Sequence, residues 1–170
     1  MKTNFIILLF ILGSNFIFGQ DTSALNKRPS FNLDLYVNDT VFYEAPIAES
    51  FYVINDSMIQ IFPGENLYFE ATQNHGKLDK LKRVASVTDS SKTLIIEFKQ
   101  VYKGKTHEQM ILSVRNPFKK NLHYKAFMNL MKNKKWAKTS VVPVIAGLIS
   151  YETWPNIITS LMLKGFELKD

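Results

Sequence analysis

From residue 31 onward the hydrophobic positions recur mostly with period two. Phe31, Leu33, Leu35 and Val37 alternate with Asn32, Asp34 and Tyr36, and Leu94, Ile96 and Phe98 alternate with Thr93, Ile95, Glu97 and Lys99. Successive side chains of a strand point to opposite faces, so this alternation predicts strands with one face buried. Shorter runs of the same kind lie at Phe51–Val53, Met58–Phe62, Leu67–Ala71, Leu78–Val87 and Met110–Val114. Between them stand turn-forming strings: Asn38-Asp39, Asn55-Asp56, Pro63-Gly64, Asn74-His75-Gly76 and Tyr102-Lys103-Gly104-Lys105. Turn signals every 8–12 residues or so mark an antiparallel sandwich or barrel. Strands and helices do not alternate, so a parallel sheet is not expected.

Two segments need separate reading. Asn116-Pro117 could open a helix, and Phe127, Leu130 and Met131 have helical spacing. Against that, Leu122, Tyr124, Ala126, Met128 and Leu130 alternate, which favours a strand over 122–131 followed by a hairpin partner over 136–142. In the last predicted strand Thr159, Leu161 and Leu163 are out of phase with Phe166 and Leu168. One extra residue at Gly165 would restore inward pointing, so a β-bulge is expected there.

The amino terminus has a different pattern. Lys2 precedes an apolar run from Phe5 to Phe18, and Gly19 is a small residue at a suitable cleavage point. Residues 1–19 are read as a cleavable secretory signal peptide, 20–30 as a mobile polar leader, and 31–170 as one domain. A spanning helix needs about 20 apolar residues. The leading run is broken by Ser14 and Asn15, and Val141–Ile149 is shorter and holds Pro143 and Gly147. No stable membrane span is therefore expected after cleavage, and the address is periplasmic or secreted. The chain has no cysteine, which closes the routes to lipid attachment, disulfides and thiolate chemistry. Stability must come from the core, and 46% hydrophobic residues can supply one.

Charge is segregated along the sequence. From Gln109 to Tyr151 there is no Asp or Glu, while Arg115, Lys119, Lys120, Lys125, Lys132, Lys134, Lys135 and Lys138 all fall there. In a sandwich, loops alternate between the two ends. Lys119 and Lys120 would then sit at one end of the 122–131 strand, and Lys132, Lys134 and Lys135 at the other, about 30 Å away. Lys125 would lie between them along the strand. Together with Trp136 and Lys138, these lysines form a candidate surface for an anionic envelope component: an acidic glycan, a lipid phosphate or an acidic protein. Nucleic acid is not expected, because stacking platforms do not interleave with the cations beyond Trp136 and Phe118.

Catalytic chemistry leaves little trace. His75, His107 and His123 lack the spacing of a metal pair, and there is no nucleophile elbow, phosphate loop or dinucleotide fingerprint. No catalytic residue, cofactor or metal ligand is therefore assigned. Tyr151-Glu152-Thr153-Trp154-Pro155 could place a carboxylate beside an aromatic in a small envelope hydrolase acting on glycan or lipid, although a Trp before a final strand more commonly plugs a core. An apolar-ligand barrel is a further alternative, given 13 Phe and six Met. The strand succession, Asn116-Pro117-Phe118 and the tail from Thr139 to Leu168 resemble exported immunoglobulin-like and fibronectin-type-III-like sandwich proteins. That resemblance implies a single immunoglobulin-like antiparallel β-sandwich, and a role in binding or assisting more than in catalysis. It carries no functional motif.

Overall fold

The structure, a computed structural model, describes residues 25–133 and 135–170. The expected signal peptide and Lys134 lie outside those residues. The described residues are predominantly antiparallel β-structure. Its strands are β1 (Lys27–Arg28), β2 (Phe31–Tyr36), β3 (Phe42–Ile47), β4 (Ser50–Phe51), β5 (Val53–Ile54), β6 (Met58–Ile61), β7 (Glu65–Asn74), β8 (Lys77–Val84), β9 (Thr93–Lys103), β10 (Thr106–Arg115), β11 (Asn121–Leu130), β12 (Trp136–Thr139), β13 (Ile149–Trp154) and β14 (Ile158–Lys169). Among the described residues, no helix is long and apolar enough to cross a membrane.

Ten of these strands form one hydrogen-bonded path, β12-β11-β14-β8-β7-β9-β10-β13, with β6 and β5 added beside β14. The path is almost divided, because β14 and β8 share only the register pair Glu167–Lys77. On one side lie β8, β7, β9, β10 and β13, and on the other β12, β11, β14, β6 and β5. The inward positions of both halves feed a single core. Leu67, Phe69, Leu94, Ile96, Phe98 and Met110 come from the first half, and Ile59, Ile61, Leu122, Ala126, Leu161, Leu163 and Phe166 from the second. Side chains fill this interior: Phe69 and Phe98 are fully buried, and Tyr124 stacks on Phe166 at 5.8 Å. The strand over 122–131 is present as β11, and Asn116-Pro117 opens a loop, not a helix. The Phe118 amide donates to Asn116 Oδ1, which fixes an Asx turn.

The bulge falls where the phase break placed it. His123 faces Glu167 and Lys125 faces Lys164, so Gly165 and Phe166 together oppose Tyr124. Gly165 has φ +66°, a left-handed conformation that glycine adopts without steric cost. An added Cβ there would meet nothing within 4 Å. Gly165→Ala is therefore expected to cost about 1 kcal/mol through backbone strain alone. A urea melt reads this directly, and an unchanged midpoint would contradict it.

The segment read as a loose leader is tied down where it enters the domain. Lys27–Arg28 pairs with Ser50–Phe51, and Arg28 is 1% exposed. Its guanidinium is bonded to Glu65 and Ser50 and to the Gln60 carbonyl. Within that segment Arg28 belongs to a buried ion-pair network with Glu65, while Lys27 pairs with Glu49 at the surface. The β2–β3 hairpin lies across the end of the sandwich where β6 and β9 finish and β14 begins. It has its own small core of Leu33, Leu35 and Phe62, with Phe31, Tyr43, Ile47 and Ile157 packed against it. Gln100 clips it in place, accepting from the Tyr36 amide at 3.0 Å and donating to the Tyr36 carbonyl at 2.7 Å.

Candidate functional site

The lysines of the acid-free window occupy three places. Lys119 and Lys120 stand in the loop before β11, and Lys132 and Lys135 in the turn between β11 and β12, at its opposite end. Lys125 is exposed on β11, and Lys138 is exposed on β12 beside it. The two loop clusters therefore do not form one patch. What the fold does assemble is a face on the strands between them.

Cross-strand register defines that face. Side chains directly opposite on neighbouring strands lie about 4.5–5.5 Å apart at Cβ. Lys138 is opposite Phe127, Phe127 is opposite Met162, and Met162 is opposite Gln60. One row away, Lys125 is opposite Lys164. One row the other way, Trp136 is opposite Asn129, and Asn129 is opposite Ser160. Lys125, Lys138 and Lys164 thus surround Phe127 on the outward side of β12, β11 and β14. Lys164 Nζ sits 4.6 Å from the Phe127 ring centroid. Trp136, 42% exposed, stands diagonally from Phe127. Beside Trp136 a groove of about 400 Å³ opens under the β2–β3 hairpin, lined by Tyr43, Ile47, Gln60, Asn129 and Ser160 among others.

Two like charges opposite one another destabilise a sheet, so the Lys125–Lys164 pair is an unfavourable local choice without an anion nearby. Glu167, opposite His123 on β14, is a carboxylate close enough to Lys125 to feel its charge. Its carboxyl is held below the usual range first by the Lys169 ammonium that hydrogen-bonds it, with smaller contributions from Lys77 and Lys125. Glu167 is paired with Lys169 at 2.6 Å. Sequence reading had named Lys125, Lys138 and Trp136. It missed Phe127, Met162 and Lys164, because only the β11–β14 register brings them together and Lys164 lies outside the acid-free window.

The string around Glu152 has a different place. Glu152 and Trp154 both sit on β13, the strand at one end of the hydrogen-bonded path. Glu152 Oε1 accepts the Val142 amide at 2.6 Å, and Trp154 Nε1 donates to Thr139 Oγ1 at 3.0 Å. Trp154 packs against the core. These two contacts staple the β12 side of the sandwich to β13. The neighbouring Tyr124 phenol is pushed well above its usual range by burial, and further by the Glu152 charge. Tyr124 therefore keeps its proton near neutral pH.

The histidines are separated. His107 is fixed by Gln100, whose amide donates to the Tyr36 carbonyl and faces His107 Nδ1 at 3.0 Å. That contact makes Nδ1 the acceptor and leaves Nε2–H to donate to the Pro155 carbonyl at 3.1 Å. Among the described residues, no group of three or more His, Asp or Glu side chains is placed to hold a metal ion. Comparison with family models, with curated proteins and with solved structures gives no match.

Proposed function

We propose that this protein is an exported, non-enzymatic binding or accessory module of a bacterial envelope, which holds an anionic partner on its lysine-rich sheet face. The observation that carries the reading is the set Lys125, Lys138 and Lys164 around Phe127. Three ammonium groups on adjacent strands create a local positive field, and an anion docking there relieves their mutual repulsion. Phe127 and Trp136 add apolar ring faces, and Asn129, Ser160 and Gln60 add hydrogen-bonding groups at the mouth of the groove. That combination suits an acidic glycan: sugar rings stack on aromatics, hydroxyls meet the amides and the serine, and carboxylates or sulfates meet the lysines. In kind, the module would belong with exported sandwich domains of the immunoglobulin-like and fibronectin-type-III-like sort, which bind or assist.

The test is retention on an immobilised sulfated polysaccharide at physiological salt. Wild type is expected to be retained and to elute as salt rises, since exposed charges are screened. Lys125→Ala/Lys138→Ala/Lys164→Ala should elute near the void volume, and Lys119→Ala/Lys120→Ala should behave as wild type. Undiminished retention of the triple variant would overturn the assignment of this face.

A further inference from the structure

We infer a second interaction surface, at the opposite end of the sandwich from the β2–β3 hairpin: an apolar, cation-flanked tip built to dock on an anionic lipid surface. The loop from Val144 to Ile149 carries Ile145, Leu148 and Ile149, which are 58%, 55% and 47% exposed. Large aliphatic side chains scattered singly over a surface need no explanation, but several at one loop tip mark a contact surface. Their exposure is enforced by the backbone. Val144 takes the inward position, bridging to Leu122. Gly147, at φ +71°, turns the chain. The Ala146 amide donates to Asn121 Oδ1 at 3.1 Å, and the Gly147 amide to the Phe118 carbonyl at 3.2 Å. The tip is thus pinned at several points with its aliphatic side chains turned outward.

Cations stand directly beside it. Arg115 is the cross-strand partner of Ile149, and Lys119 and Lys120 belong to the 116–121 loop that hydrogen-bonds the tip. Lys120 pairs with Asp170 at 2.9 Å. Among the described residues, Arg115 and Lys119 form no ion pair. Tyr151 lies two residues beyond Ile149 on the same side of β13 and is 65% exposed. An exposed tyrosine at that level suits the headgroup layer, where one end of the ring is apolar and the other wet.

Charge complementarity selects the occupant. A bilayer accepts aliphatic side chains without asking for polar partners, and its phosphates match Arg115 and Lys119. An acidic glycan would leave Ile145 and Leu148 unmatched. The tip shares no residue with the Phe127 face, so the two surfaces stand or fall separately.

The test is co-sedimentation of the full exported chain with vesicles of phosphatidylglycerol and phosphatidylcholine, against phosphatidylcholine alone. Wild type is expected to pellet with the anionic vesicles and to be released by salt. Ile145→Ser/Leu148→Ser and, separately, Arg115→Gln/Lys119→Gln should each weaken binding about tenfold or more, since both apolar insertion and charge contribute. Both variants should keep the wild-type circular dichroism melt and the wild-type retention on the polysaccharide column. Wild type remaining in the supernatant with anionic vesicles, or the serine variant pelleting like wild type, would overturn the inference. So would a wild-type dimer that the serine variant dissociates, which would assign the tip to self-association.

Discussion

Arg28→Ala should lower the stability of the domain by about 3 kcal/mol or more, the cost of breaking a buried pair by removing one partner. Every donor group of the wild-type guanidinium has work. Nε donates to Glu65 Oε1 at 2.6 Å, Nη1 to Ser50 Oγ at 2.9 Å, and Nη2 to the Gln60 carbonyl at 2.7 Å and Glu65 Oε2 at 3.0 Å. Its central carbon also lies over the Tyr52 and Phe62 rings, 4.4 and 4.7 Å from their centroids. Truncation leaves the Glu65 carboxylate, only 15% exposed, without its cation and leaves the Gln60 carbonyl without this donor. It also removes the anchor of β1 on β4. For a domain of this size the loss corresponds to a fall of about 10 °C in melting temperature. The double variant Arg28→Met/Glu65→Leu should be less destabilised than Arg28→Ala, because it removes both charges together. A thermal melt of the three proteins decides the matter. If Arg28→Ala melts within about 2 °C of wild type, the network does not hold the fold together.

The importance of Arg28 was hidden in the sequence for a physical reason. Its partner Glu65 is 37 positions away, and one Arg within a polar run resembles any solvated charge. Local alternation, by contrast, is visible in the sequence. The alternation in 31–37, 93–99 and 122–131 appears as β2, β9 and β11, because one face of each is buried and the side-chain period exposes that fact. Gly165 was legible for the same reason, since a phase break in an otherwise regular strand leaves few alternatives to a bulge. β3 and β13 were not anticipated as strands. Both show no fully buried position, so neither generates a clean contrast between apolar and polar sites. β8 is shorter than its pattern suggested, ending at Val84 where the chain leaves the sheet.

The candidate sites divide along the same line. A window without carboxylates is visible in one dimension, and it led to Lys125, Lys138 and Trp136. The aromatic that those lysines surround required the register of β11 with both neighbours. The Val141–Ile149 run reads in sequence only as an apolar stretch too short to span a membrane. The fold uses Val144 inward and turns Ile145 and Leu148 outward, a choice set by the Leu122 bridge, the Asn121 contact and the turn at Gly147. Nonlocal pairing thus decides both which cations gather and which apolar residues stay exposed.

Asn116→Ala should be the most damaging single truncation in the loops, at about 3 kcal/mol, because it removes three hydrogen bonds of one buried side chain at once and leaves the buried Phe118 amide without its acceptor. Asn116 is fully buried. Its Nδ2 donates to the Lys120 carbonyl at 2.8 Å and to the Val144 carbonyl at 2.9 Å, and its Oδ1 accepts the Phe118 amide at 2.9 Å. Its own amide donates to the Leu148 carbonyl at 2.9 Å. One side chain therefore ties the 116–121 loop to the 144–148 segment across 28 positions of sequence. Alanine removes three side-chain bonds and brings in no replacement, whereas the backbone bond to Leu148 survives. The expected signature is local as well as global. A urea melt should show the lost stability, and amide exchange at Val144, Ala146 and Gly147 should accelerate more than exchange in β7 or β9. Vesicle binding should also weaken, because Ile145 and Leu148 are held out by that scaffold, while retention on the polysaccharide column should persist for the folded fraction. Uniform acceleration of exchange across the whole domain, with none specific to 144–148, would show that Asn116 supports the core at large and not the tip.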